Sequence, residues 1–169
     1  KMSKKKSYSY IGFIFIIFSY YSIYKLRNDF HLEVIIFILL ICISTDIGGY
    51  IFGKIFKGPK LTKISPKKTY AGTVGAYLLS IILSNLYINF IESNIFVEFS
   101  KHLFLIIIAI STVSQLGDII ISSFKRLSKI KDTGTIIPGH GGILDRIDGM
   151  IFAFPFSYIF FQFNLFNFL

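Results

Sequence analysis

Long uninterrupted apolar runs, among them Ile11–Phe18, Val34–Ile43 and Leu103–Ile110, constrain this chain more than any other feature in it. Crossing roughly 30 Å of hydrocarbon takes about 20 predominantly apolar residues. Five segments meet that requirement: 8–24, 32–56, 71–91, 103–124 and 142–165. The expected fold class is therefore all-α, a polytopic transmembrane helix bundle of about five helices forming one integral-membrane domain over residues 1–169. Composition agrees: 53% of residues are hydrophobic and the mean hydropathy is +0.66, too apolar for a soluble domain of this length. The first segment is the shortest, and Tyr20, Tyr21 and Tyr24 at its end suit interfacial anchors rather than a cleavable signal.

A net charge of +9 raises the question of nucleic acid, but placement answers it. With the N-terminus inside, two outer loops (25–31 and 92–102) alternate with two inner loops (57–70 and 125–141). Fifteen basic residues then lie inside: Lys1, Lys4, Lys5, Lys6, Lys54, Lys57, Lys60, Lys63, Lys67, Lys68, Lys125, Arg126, Lys129, Lys131 and Arg146. Only three, Lys25, Arg27 and Lys101, lie outside. That is a positive-inside pattern, so topology accounts for the charge and no nucleic-acid partner is expected. Cys42 stands alone in an apolar run, as a small buried hydrophobe does.

Carboxylates sort by side as well. Asp29, Glu33, Glu92 and Glu98 fall at the outer loops, whereas Asp46, Asp118, Asp132, Asp145 and Asp148 fall inside or at membrane depth. A carboxylate at a helix centre costs about 2.5–3.5 kcal/mol on insertion scales, so it needs a polar cavity, a cation or a metal. Asp118 lies about two turns before its helix leaves the membrane, and Asp145 and Asp148 follow the loop one turn apart. The hairpin makes the two helices neighbours, so three carboxylates can converge under the inner surface. A buried salt bridge of Asp118 or Asp145 with Arg146 or Lys125 is the structural alternative. Hard oxygen ligands suit Mg²⁺, which takes few carboxylates and completes its shell with substrate phosphates. The loop adds Lys125, Arg126, Lys129, Lys131 and Arg146, with a turn at Pro138-Gly139-His140-Gly141-Gly142 that lets backbone approach a phosphate. Metal plus fixed cations is the apparatus of phosphoryl and nucleotidyl transfer.

Three segments of this region form a longer signature: Ser122-Ser123-Phe124-Lys125-Arg126, Lys131-Asp132-Thr133-Gly134, and Pro138-Gly139-His140-Gly141-Gly142-Ile143-Leu144-Asp145-Arg146-Ile147-Asp148. Together they resemble the signature of the phosphatidate cytidylyltransferases (CDP-diacylglycerol synthases). Upstream, Asp46-Ile47-Gly48-Gly49-Tyr50 and Ile64-Ser65-Pro66-Lys67-Lys68-Thr69 resemble that family's other motifs. The family usually continues with glutamate and glycine; here Tyr70-Ala71-Gly72 places alanine at the glutamate position. The likeness covers about residues 40–165. Family members are usually longer, with further N-terminal spans, so the chain reads as the catalytic C-terminal portion.

The resemblance implies a metal-dependent enzyme that transfers CMP from CTP to phosphatidate, giving CDP-diacylglycerol and pyrophosphate. It implies Mg²⁺, as a pair of divalent ions, at Asp118 and Asp145 with Asp148 supporting. Lys125, Arg126, Lys131 and Arg146 would hold phosphates, while Ser65, Pro66, Lys67, Lys68, Thr69 and Ser122 would bind the nucleotide. Asp132 would fix the loop through Lys131 or Arg126, and His140 would contact phosphate or orient Asp145 unless it is purely structural. Asp46 either shapes the nucleotide pocket or pairs with a loop lysine. A homodimer among membrane lipids, in the inner (cytoplasmic) membrane with its site facing the cytoplasm, completes the expectation. Related CTP-using lipid kinases and a transporter using Asp46 and Asp118 as coupling carboxylates are the rival readings. One false lead falls away: Gly48, Gly53 and Lys54 mimic a P-loop, but Ile55 follows where Ser or Thr is required. Gly49 and Gly53 are better read as a close helix-packing face.

Overall fold

The structure, a computed structural model, describes residues 2–62, 65, 68–91, 102–130, 142 and 147–163, with side chains left out at 2–9 and 11. Four helices carry them: α1 (Met2–Phe56), α2 (Tyr70–Ile91), α3 (Leu103–Leu127) and α4 (Met150–Gln162). In hydrocarbon every peptide group must find its partner within its own segment, which is why apolar runs of this length become helices. Three are long and apolar enough to cross a membrane: Gly12–Phe56 within α1, and all of α2 and α3.

One expectation is corrected. Residues 25–31 are not a loop. The helix runs through them and breaks at one residue, His31, with φ 70° and ψ 170°. Nothing in 25–31 is glycine or proline, so the chain keeps its helical hydrogen bonds and concentrates the bend in a single residue. The two spans read as separate are thus two limbs of α1. Within the last expected span, 142–165, the described residues hold α4 after the turn Asp148-Gly149, 13 residues with about 20 Å of rise and Pro155 inside it.

Aromatic contacts give the helix directions. Phe15 meets Phe152 (4.7 Å between ring centroids), Tyr21 meets Tyr158 (6.4 Å) and Phe30 meets Phe161 (5.7 Å), so the first limb and α4 run the same way. The second limb runs against α2. Phe37 stacks on Tyr87 (6.3 Å) near one end, and Gly48, Gly49 and Gly53 meet Gly75, Ala76 and Gly72 near the other. Here the backbones touch: a Cβ on Gly48 would lie 2.5 Å from the Gly75 carbonyl oxygen, and one on Gly72 would lie 2.7 Å from that of Gly49. The packing face expected at Gly49 and Gly53 is therefore present and extends to Gly48.

Leu26, Val34, Phe37, Ile38, Ile41, Ile106, Ile107, Ile110, Ala153, Phe154 and Phe161 fill the core between these helices. Polar pairs stitch the helices inside it. Thr45 and Ser111 hydroxyls lie 2.7 Å apart, and Tyr77 and Thr112 hydroxyls 2.9 Å apart. Van der Waals fit and such hydrogen bonds hold membrane helices together where lipid supplies no hydrophobic drive between them. One end of the bundle gathers the loop after α1, the C-terminus of α3 and the turn before α4. The site lies there.

Candidate active site

The loop between α1 and α2 is closed at its base. Lys60 and Thr69 form an antiparallel bridge, Tyr70 N–H donates to the Pro59 carbonyl (3.1 Å) and Leu61 N–H to the Lys68 carbonyl (2.8 Å). Within it, Ser65 N–H donates to Thr62 Oγ1 and the Ser65 carbonyl accepts Lys68 N–H, both at 3.1 Å. Thr69 Oγ1 accepts the Gly72 N–H (3.1 Å), the geometry of a helix N-cap, so α2 starts at a fixed residue. Lys68 is thereby anchored by its backbone, one residue ahead of a membrane helix.

From that anchor the Lys68 side chain reaches α3. Its ammonium forms an ion pair with Asp118 Oδ2 and donates to the Gln115 carbonyl at 3.3 Å. Ser122, one turn further along α3, donates to Asp118 Oδ1 at 3.3 Å. Lys125 Nζ lies 3.4 Å from Asp148 Oδ2, and Asp148 Oδ1 accepts the Gly149 N–H at 2.9 Å. Close packing brings α4 to α3: a Cβ on Gly149 would lie 2.6 Å from Ser114 Oγ, and one on Gly117 would lie 2.7 Å from the Phe152 ring. Lys68, which the salt-bridge alternative did not name, is thus an ion-pair partner of Asp118, while Asp145 and Arg146 lie outside the described residues.

The two carboxylates face one another within hydrogen-bonding reach. Asp148 lies on the turn outside the helices, and its carboxyl is pushed up from 3.8 to about 7. Burial is the main cause and the Asp118 charge the second, while Lys125 and the Gly149 N–H pull the other way. The folded chain therefore keeps a proton that the unfolded chain releases between about pH 4 and pH 7, so this group's contribution to stability falls as pH rises through that window. In metal-free buffer, the thermal midpoint of an Asp148→Asn chain, relative to the parent, should rise between about pH 5 and pH 8. A constant difference would show that Asp148 ionises normally.

Two adjacent carboxylate oxygen donors, one reluctant to ionise without a compensating charge, fit a hard divalent cation. Among the described residues no group of three or more acidic, histidine or cysteine ligands forms. Of the other predicted site residues, Pro66, Lys67, Lys131, Asp132, His140, Asp145 and Arg146 lie outside the described residues. Asp46 is an exposed residue of α1, one turn beyond Cys42. Arg126 turns back on its own helix end, where its guanidinium donates to the Ile130 carbonyl (3.3 Å).

That helix end has a further cost. Ile130 N–H donates to the Lys125 carbonyl and Lys129 N–H to the Arg126 carbonyl, both at 3.0 Å, a Schellman closure with Lys129 at φ 58°. Glycine takes that conformation without the Cβ penalty. Lys129→Gly should stabilise the chain by about 1 kcal/mol, read as a higher thermal midpoint; a lower one would mean that the lysine charge matters more than its strain.

Sequence reasoning did not find the Lys68–Asp118 pair. The partners are fifty positions apart, and only the packing of α2 on α3 brings them together. Comparison with known proteins places this arrangement. The pattern described as "Cytidylyltransferase family" matches residues 2–164. The chain belongs to the cytidylyltransferase family. Proteins named phosphatidate cytidylyltransferase are similar to it: those of Staphylococcus haemolyticus (39% identical over 150 residues), Staphylococcus saprophyticus (41% over 150) and Staphylococcus aureus (39% over 155). Each alignment takes in 88% of this chain and 54% of the relative. The chain thus spans about half the length of these curated cytidylyltransferases.

Proposed function

We propose that the chain carries the catalytic portion of a phosphatidate cytidylyltransferase, which transfers CMP from CTP to phosphatidate in phospholipid synthesis. The observation that carries this reading is the meeting of Asp118 and Asp148, each with a lysine, at one end of a membrane bundle. Family membership supports the CTP chemistry, and the relatives' name supplies the lipid acceptor.

In the reaction a phosphate oxygen of phosphatidate attacks the α-phosphorus of CTP. A new P–O bond forms, the bond between the α-phosphorus and its bridging oxygen breaks, and pyrophosphate leaves with the electron pair. Asp118 and Asp148, with Asp145, would hold Mg²⁺, as a pair of divalent ions. When bound, such ions neutralise charge on the attacking and leaving oxygens. The chain's own part is positional and electrostatic. Lys68, held at the cap of α2, offers an ammonium to the triphosphate. Lys125 does the same from the end of α3, and Ser122 orients Asp118. No serine or cysteine nucleophile is required, since the acceptor phosphate is itself the nucleophile. The positive-inside pattern supports a reading in which this end faces the cytoplasm from a bacterial inner membrane, where CTP is available; a homodimer is the expected assembly.

The test is pyrophosphate release by the chain in lipid nanodiscs supplied with CTP, phosphatidate and Mg²⁺. Release should require all three. Formation of CDP instead of pyrophosphate would replace this reading with a CTP-dependent lipid kinase, and release without phosphatidate would remove the lipid acceptor from it.

A further inference from the structure

Each carboxylate of the site is held by a lysine from elsewhere in the bundle, but the two pairs are not equivalent. Lys125 and Asp148 are 12% and 9% exposed, whereas Lys68 and Asp118 are 24% and 26% exposed. The more open pair ties the loop between α1 and α2 to α3. Its lysine backbone is fixed by the Ser65 carbonyl, the Leu61 N–H and the adjoining Thr69 cap, while its ammonium is held at Asp118 and the Gln115 carbonyl. The Asp118 oxygens that Lys68 occupies are those a divalent cation needs. The ammonium that Asp118 occupies is one an anionic triphosphate needs. Two cations of like sign cannot share the same carboxylate without mutual repulsion.

We propose that Lys68 is an exchangeable counter-ion, holding Asp118 until a divalent cation takes that carboxylate and then pairing with the nucleotide's phosphates. The inference rests on the metal and nucleotide reading above and adds a coupling between the two ligands. Metal binding removes the carboxylate that competes for Lys68, and nucleotide binding removes the ammonium that competes for Asp118. Linkage makes the effect reciprocal, so each ligand tightens the other by the same factor. In the ligand-free state the same pairing keeps Asp118 compensated, which spares the bundle end an unpaired carboxylate.

Mn²⁺ binding followed by electron paramagnetic resonance tests this without relying on turnover. The chain in nanodiscs is titrated with Mn²⁺, with and without CTP, as the parent and as Lys68→Met, Lys68→Arg and Asp118→Asn variants. Without CTP, Lys68→Met should bind Mn²⁺ roughly threefold more tightly than the parent, because its competitor is gone. The tightening that CTP produces should shrink in that variant. Lys68→Arg, whose guanidinium grips a carboxylate with two donors, should bind Mn²⁺ more weakly than the parent without CTP. It also serves if the methionine variant does not fold. Unchanged or weaker binding in Lys68→Met, or unchanged or tighter binding in Lys68→Arg, overturns the exchange while leaving the metal site standing. Parent binding that Asp118→Asn does not alter overturns both the exchange and the metal reading beneath it.

Discussion

If the chain catalyses the proposed transfer, an Asp118→Asn variant should fold as its parent does but release pyrophosphate slower by a factor of about 10²–10³ or more, the scale of loss when one preorganised charged group leaves a transfer site. The amide has almost the shape of the carboxylate and can still accept from Ser122, so the helix contacts around position 118 survive. What it lacks is charge. Lys68 loses its counter-ion, the proposed divalent cation would lose one of two adjacent anionic ligands, and Asp148 loses the neighbour that discourages its ionisation. The control is Lys60→Met, a change in the same charged loop that leaves the backbone bridge to Thr69 intact. Its rate should stay within about twofold of the parent, since a solvated surface charge contributes little. Equal losses in the two variants would mean that overall charge at this end, rather than Asp118, governs the rate.

The second large effect is structural. Gly48→Ala should destabilise the chain by about 1–3 kcal/mol, the range for an atom forced into a filled interface. The new methyl would sit 2.5 Å from the Gly75 carbonyl oxygen and 3.0 Å from the Ala76 Cα, both backbone atoms that move only if α2 moves. Gly12→Ala is the matched comparison, because nothing lies within 4 Å of its Cβ position. There alanine should be neutral or stabilise by up to about 1 kcal/mol through helix propensity. Thermal midpoints in detergent separate the two. A harmless Gly48→Ala would mean that α1 and α2 do not approach as closely as described. Because α2 carries Lys68 at its head, the damaged variant should also lose activity beyond what its unfolded fraction explains.

Apolar runs made the membrane helices legible, since hydrophobicity sustained over some twenty residues has one cheap outcome in hydrocarbon. The meeting of Asp118 with Asp148 was legible for a related reason: two inner-side carboxylates on consecutive helices have few other places to go. The bend at His31 was not legible. Residues 25–31 carry polar groups that read as a loop, yet the chain concentrates the turn in one residue, and no glycine or proline marks it. The partner of Asp118 left no local trace. Lysines at 67 and 68 are equivalent on paper, and only the capped start of α2 gives Lys68 its reach.

The tie between Lys60 and Thr69 has a consequence for anyone re-engineering this protein. Bringing the ends of a loop together is an entropic task whose difficulty grows only slowly with length, and here backbone bonds between Lys60 and Thr69, Pro59 and Tyr70, and Leu61 and Lys68 take part in it. Lengthening the chain between Leu61 and Ser65 should therefore cost little, while Pro59, Lys60, Lys68, Thr69 and Tyr70 keep both membrane helices in register.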